Sequence, residues 1–349
     1  MSKEQMMPLI LNQSFERLAI IDDFISFIWT QRFYTVGDFE LCTDVKYVDL
    51  LQIGNYVIRT KDNHAGIIEK IQYKRTEESQ EMIIASGRFL PSILGRRVIS
   101  AQTQLTGNVT GCISTLINQN IISPSLASRR ISNVIFQNDS ASTETMDVQY
   151  IGQNLLETVT NLCELYSIGL DCILTDDNKF KFILYDGTDR SYNQSTNPYI
   201  IFSDDYDNLM NAEYEKNYEE YSTDVLVGGE GEGINRTMVW ASQQARSGLA
   251  RYETFLDASS AVTNEQIITQ ETYEKQLEGL GLEQTTDYTA AFTGEVDFTN
   301  VVLGVDVFVG DIVTVQNTNW GMMLNTRLIE VIESIGESGA YSAIPTFGN

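Results

Sequence analysis

The chain has 349 residues and carries 23 Lys and Arg against 48 Asp and Glu, a formal net charge of −25. A hydrophobic share of 42% with 10% aromatic residues suffices for a packed core and excludes wholesale disorder. The acidity excludes a surface that grips nucleic-acid phosphates, which takes lysine and arginine, but not one that nucleic acid slides past.

From Leu9 to about Arg97 the sequence predicts strands. Leu9-Ile10-Leu11 and Leu18-Ala19-Ile20-Ile21 flank the polar turn Asn12-Gln13-Ser14, a hairpin signal. Phe24 to Trp29, Phe39 to Cys42 after a turn at Gly37-Asp38, Tyr56 to Arg59, Gly66 to Ile71 and Glu81 to Ala85 continue the series. Strand signals about 8–12 residues apart imply a closed or nearly closed β structure. Phe89 to Leu94 reads as one short helical turn on its margin.

The middle changes period. Val109, Cys112, Ile113, Leu116 and Ile117 share one helix face. Leu155, Leu156, Val159, Leu162, Cys163 and Tyr166 repeat the pattern, with Gly169 as a natural stop. Cys112 and Cys163 thus lie on buried stripes, which fits small core residues better than nucleophiles. Leu170 to Leu174 and Phe180 to Leu184 form a hairpin across Asp176-Asp177-Asn178, while Ser123 to Tyr150, rich in Ser, Thr and Asn, reads as loop. The unit is a compact α+β insert rather than a parallel nucleotide-binding sheet.

Beyond Tyr199 strands return, at Val225-Leu226-Val227, Thr237 to Ala241, Val305 to Val309 and Leu328 to Ile332. Thr263-Asn264-Glu265-Gln266 has capping-box spacing and opens a helix carrying Ile267, Ile268, Tyr273, Leu277 and Leu280, with Glu271 four before Lys275. At about 150 residues per domain the length implies two or three domains. The expected division is 1–104, β-rich; 105–200, the α+β insert; and 201–349, β-rich with an inserted helix near 264–281.

Candidate chemistry is sparse. Cys42, Cys112, Cys163 and Cys172 form no CxxC pair and no metal-type cluster. His64, in a turn between strands, is expected to be solvent-exposed, and as the one histidine it leaves little room for a zinc site or a two-histidine mechanism. The run Gly228 to Gly233 follows a strand, but no Lys-Ser/Thr follows and Glu230 and Glu232 repel phosphate, so it reads as a flexible turn. Asp176-Asp177-Asn178 lacks the calcium-loop register and its terminal Glu, and reads as a tight turn. Asp22-Asp23 and Asp204-Asp205 are adjacent, which in a strand sends the two carboxylates to opposite faces. No stretch approaches the roughly 18 apolar residues of a membrane span, and Met1-Ser2-Lys3-Glu4-Gln5 leads into no secretory h-region. The expectation is a soluble, reduced, cytoplasmically made protein with no catalytic residue, cofactor or metal, and no stable membrane insertion.

The acidic run says more. Glu213, Glu215, Glu219, Glu220, Asp224, Glu230 and Glu232 stand against one base, Lys216, with Tyr214, Tyr218 and Tyr221 interleaved. It is either a solvated face or a wall that repels phosphates.

Several separated motifs resemble the tail-hub proteins at the tip of long-tailed siphophages, which are similar to the baseplate hubs of contractile phages. Near the start these are Ile28-Trp29-Thr30, Arg32-Phe33-Tyr34 and Gly37-Asp38-Phe39-Glu40-Leu41. Next come Gly66 to Ile71, Ser86-Gly87-Arg88, Leu90, Ile93-Leu94 and Arg96-Arg97-Val98-Ile99. Asn154-Leu155-Leu156, Tyr185-Asp186-Gly187, Asp189-Arg190-Ser191, Val227 to Gly231, Gly310 to Val315 and Leu328 to Val331 follow in order. The resemblance implies a β-rich α+β fold in which the first and last divisions are tube-like β-barrels. It further implies a homotrimer whose pseudo-sixfold ring continues the tail tube. Its partners would be a distal tail protein, the tail tube and tape-measure protein, and a distal spike, fibre or plug. DNA would pass through without specific binding. Ending at Ile344-Pro345-Thr346-Phe347-Gly348-Asn349, the chain resembles a short form without a C-terminal lysin extension. The expected location is the virion tail tip, after assembly in the host cytoplasm.

Exposed aromatics in Arg32-Phe33-Tyr34 are candidates for subunit or distal-tail-protein contacts, with a core role equally open for Phe33. The seven acids from Glu213 to Glu232 are the candidate channel lining. Two rival classes remain: a carbohydrate- or receptor-binding virion module, with a shallow aromatic groove, and a wall-degrading tail enzyme, with a carboxylate whose loss abolishes activity.

Overall fold

The structure is a computed structural model that describes residues 6–59, 63–75, 81–244, 246–259, 269–286, 289–297, 301–336 and 339–348. In the N-terminal third, two-residue alternation sets every strand. β1 (Pro8–Leu11) and β2 (Arg17–Ile20) pair as a hairpin. The Asn12 side chain caps the turn by accepting from the amides of Ser14 and Glu16, both at 2.9 Å. β3 (Ser26–Arg32), β4 (Asp38–Asp44), β5 (Tyr56–Arg59), β6 (Ala65–Arg75) and β7 (Glu81–Phe89) follow, as expected. Phe27, Trp29, Phe39, Leu41, Ile83 and Ala85 all point to one side and are buried together. The turn after β7 is a short 3-10 helix, Leu90–Arg96.

The central helices form where their periodicity places them. After β8 (Thr103–Asn108), α1 (Val109–Ile117) buries Val109, Cys112, Ile113, Leu116 and Ile117, and the Asn108 side chain accepts from the Thr110 and Gly111 amides. The stretch read as loop contains two strands, β9 (Val134–Asn138) and β10 (Thr145–Tyr150). Their signal was short: Met146, Val148 and Tyr150 alternate with polar residues over three positions. α2 (Leu155–Leu165) is capped by Asn154 and turns out of the helix at Ser167, φ 54°. Gly169 instead opens β11 (Gly169–Leu174), which pairs with β12 (Phe180–Tyr185). All four cysteines are free and buried, and burial pushes the Cys163 thiol up to about 12.

The last third adds β13 (Ile201–Ser203), β14 (Leu209–Asn217), β15 (Asp224–Gly228), β16 (Met238–Ser242) and β17 (Glu253–Asp257). Then come α3 (Gln270–Leu282), β18 (Thr289–Val296), β19 (Ile312–Asn317), β20 (Met322–Gly336) and β21 (Tyr341–Gly348). The capping box at Thr263–Gln266, with Ile267 and Ile268, lies outside the described residues. As described, Thr269 caps α3. Tyr273, Leu277 and Leu280 are buried, and Lys275 Nζ meets Glu271 at 3.0 Å. Val305–Val309 is not a strand. Gly304 and Gly310 take positive φ at its ends, and the Asp306 carboxylate turns back to the Val302 amide at 2.8 Å.

The largest sheet has 13 strands in the order β14-β18-β21-β20-β3-β4-β7-β6-β5-β1-β2, with β19 beside β20 and β13 beside β19. β9, β11 and β12 make one three-stranded sheet, β15, β16 and β17 another, and β8 pairs with β10. The fold is α+β and β-rich, but the two tube-like β-barrels expected of 1–104 and 201–349 are absent: no sheet closes on itself. The cause is β20. Its 15 residues take β21 along one edge; along the other, Met322–Arg327 pair with β19 and Glu330–Gly336 with β3. One continuous strand therefore fuses both ends of the chain into an open sheet. A buried ion pair, Arg59 Nη1 to Glu333 Oε2 at 2.6 Å, fastens the same junction.

Three cores result. One lies under the N-terminal strands and one under the C-terminal strands. The third joins the central helices to Val225, Val227, Ala241, Tyr273, Leu277 and Leu280, so the β15–β17 sheet and α3 pack on the middle of the chain.

Candidate functional site

The Arg32-Phe33-Tyr34 segment leaves β3 at the point where all three regions meet. Phe33 is fully buried, so within the chain it is a core residue. Its ring meets Tyr185 edge-on at 5.1 Å and lies under the Arg327 guanidinium at 4.5 Å. Its amide donates to Ile329 O, and its carbonyl accepts from the Leu170 amide, both at 2.9 Å. Two glycines make room: a Cβ at Gly169 would stand 2.3 Å from the ring, and one at Gly310 2.6 Å. Tyr34 is buried beside it, while Arg32 remains partly exposed and bonds Glu330 at 2.6 Å and Asp38 at 2.5 Å.

Motifs far apart in sequence converge here. Asp311, 2% exposed, accepts from Arg190 Nε at 2.9 Å, the Thr188 amide at 2.7 Å and the Phe308 amide at 3.0 Å. Gly187, at φ 73°, leaves space that any Cβ would take from the Gly310 carbonyl, 2.1 Å away. Tyr185-Asp186-Gly187, Asp189-Arg190 and Gly310-Asp311 are thus three sides of one joint. His64 sits on its rim with Nε2 3.0 Å from Asp171 Oδ2, half-buried rather than exposed as expected. The shared signal was Gly beside Asp, at Asp186-Gly187 and Gly310-Asp311, but nothing local pairs the two.

The acidic run divides between two sheets. Glu213 and Glu215 are exposed on β14, Glu219 and Glu220 lie in the turn that follows, and Glu230 and Glu232 are exposed between β15 and β16. Asp224 is the exception, being fully buried and bonded to Arg251, Ser242 and Thr223. Burial alone raises its carboxyl, but those two hydroxyls and the guanidinium outweigh burial and hold it below the usual range.

The other candidates resolve into structural contacts. The Gly228–Gly233 turn is filled from within: Arg236 holds the carbonyls of Gly228 and Gly229 at 2.8 and 3.0 Å, and the Tyr273 hydroxyl accepts from the Glu230 amide at 2.6 Å. Asp177 pairs with Lys179 at 2.6 Å in the β11–β12 turn, where Asn178 takes φ 60°. Asp23 binds Lys46 and Tyr47, whereas Asp204 and Asp205 bind Asn319 and Thr318. Among the described residues no group of three His, Cys, Asp or Glu side chains could hold a metal ion.

Register reveals a feature that the motifs did not. Directly opposed residues share a face, so Ser342, Ser334, Ile28, Glu40, Ser86 and Lys70 form one row across β21-β20-β3-β4-β7-β6. Glu213, Thr293, Thr346, Glu330 and Arg32 form another across β14-β18-β21-β20-β3. The reverse face carries Ile335, Phe27, Leu41 and Ala85, all buried. Among the described residues no α-helix packs across the polar face.

Residues 8–349 match the family described as Siphovirus ReqiPepy6 Gp37-like protein. Three solved structures share the fold. A tail protein from Neisseria meningitidis MC58 aligns with TM-score 0.59 at 12% identity, over 98% of this chain and 96% of its own. A 43 kDa tail protein of prophage MuSo2 from Shewanella oneidensis gives 0.57 at 14%, over 98% of both chains. A prophage tail protein from Listeria monocytogenes EGD-e gives 0.55 at 11%, over 98% and 94%. No curated protein matches the sequence.

Proposed function

We propose, for a chain that belongs to the Siphovirus ReqiPepy6 Gp37-like family, a place in the ring at the tip of the phage tail. It is a structural tail-associated protein of the virion and not an enzyme. In the proposed assembly three copies form a ring that continues the tail tube. The ring joins a distal tail protein to a distal spike, fibre or plug, and the tape-measure protein and DNA pass along its axis. The two chain ends, each with its own core yet fused in one sheet, give every copy two wall segments, so three copies supply a pseudo-sixfold wall. Assembly in the host cytoplasm precedes incorporation into the tail tip.

The uncovered face of the large sheet is the observation that carries this reading. The wall of a water-filled bore needs no helix to cover it, and among the described residues no α-helix covers this face, where serines and acids alternate with Ile28, Ile332 and Ile344. Its acids include Glu40, Glu213, Glu215 and Glu330, while Arg32 is neutralised by Asp38 and Glu330. Such a lining repels phosphates at short range everywhere but at its β6 limit, where Lys70 and Lys74 are exposed on the same face. Glu219, Glu220, Glu230 and Glu232 would add to the field from the rim, whereas buried Asp224 adds little. Arg32, partly exposed, remains a candidate for partner contacts at the junction's edge, whereas Tyr34 is buried with Phe33 in the core.

Light-scattering mass with negative-stain images tests the assembly. Rings of three copies support it, and a chain that stays monomeric at about 100 μM contradicts it. One observation favours a receptor-binding reading beside it. The outer face of the β15–β17 sheet presents Trp240, 44% exposed, and Phe255, 55% exposed, on either side of Leu226. Arg251 stacks on Trp240 at 4.5 Å. Glycan-array binding lost in Trp240→Ala would support that role, and silence across the array would remove it.

A further inference from the structure

The open sheet ends in two strand edges of opposite charge. Beyond Ile68, where β5 stops, the stretch Lys70–Arg75 of β6 has β7 on one side and, among the described residues, no strand on the other. Its uncovered-face residues are Lys70, Gln72 and Lys74, all exposed, and neither lysine has a carboxylate partner among the described residues. At the far end, among the described residues, β14 pairs with β18 and with no other strand, and Glu213 and Glu215 project from the same face of the sheet. In a chain of net charge −25, a basic edge matching an acidic edge is a specific arrangement.

We propose that β6 of one copy pairs with β14 of a second copy of this chain, so that the polar face continues from copy to copy. This rests on the ring proposed above and adds its seam. Strand direction permits the pairing. The stretch β14-β18-β21-β20-β3-β4-β7-β6 is antiparallel at every step. Its eight strands make the first and last run in opposite senses, so rotation about an axis sets β6 antiparallel to the next β14. Side-chain parity permits it too. Lys74 opposite Glu213, or Lys70 opposite Glu215, leaves the other lysine within diagonal reach. Exposed edge strands otherwise invite indiscriminate pairing, and a head-to-tail contact whose rotation closes consumes both edges. Complementary charge also selects this seam over β14 against β14, where glutamates would face glutamates.

The test is a charge exchange read as mass against concentration at low and moderate salt. Lys70→Glu/Lys74→Glu and, separately, Glu213→Lys/Glu215→Lys are expected to weaken assembly at least tenfold, with far-UV circular dichroism unchanged because all four side chains are exposed. The chain carrying all four changes is expected to regain assembly, since its seam is complementary again. Native-like mass in both two-site variants, or no recovery in the four-site variant, overturns the seam while leaving the ring intact. A native chain that never assembles overturns both.

Discussion

Phe33 shows what one side chain can hold together. It packs against β11 through Gly169, the turn before β19 through Gly310, and β20 through Arg327. Removing a buried ring of this kind costs about 3–5 kcal/mol, so Phe33→Ala should lower the unfolding free energy extrapolated from urea titration by that amount, in a chain that still shows native far-UV dichroism. Glu283 makes a pH-dependent prediction. Its carboxyl, bonded to the Tyr150 hydroxyl, is pushed by burial up to about 8 from an ordinary 4.5. The folded chain therefore binds this proton more tightly than the unfolded chain. The resulting stabilisation is complete below about 4.5 and is lost as pH rises through 8. Glu283→Gln, neutral throughout, should melt close to the native protein at pH 5 and a few degrees above it at pH 9. Neither residue was legible as a keystone. Phe33 could be read as surface or core, and the bond of Tyr150 to Glu283 spans 133 positions that no local pattern links.

Elements were legible where local chemistry was strong. Both central helices carried a 3.6-residue stripe and an asparagine immediately before the first buried turn. Asn154→Ala and Asn108→Ala should each cost about 1 kcal/mol, visible as a lower thermal midpoint. Strands whose alternation was diluted by polar residues escaped notice: β14 hides Leu209, Ala212 and Tyr214 among acids, and β9 and β10 hide in a Ser/Thr/Asn-rich stretch. Val305–Val309 failed in the opposite direction. Its apolar residues alternate, yet flanking glycines and an aspartate side chain fold it into a turn. Local pattern names candidate strands; a partner edge decides which of them exist.

At the scale of the molecule, β-rich ends around an α+β centre were visible in the sequence, but closure was not. Two barrels and one open sheet spanning both ends share nearly the same strand list. They differ in whether β20 pairs across to β3, a contact between positions about 300 apart. That single pairing leaves a broad polar face bare and two charged edges at its limits, and the tail-tip reading depends on the bare face looking inward. A three-dimensional reconstruction of the assembled protein by electron cryomicroscopy tests this most directly. The account predicts three copies around an axial bore, with Ser334, Ile28, Glu40 and Glu330 on its wall. A particle that turns this face outward, or that has no bore, would contradict it.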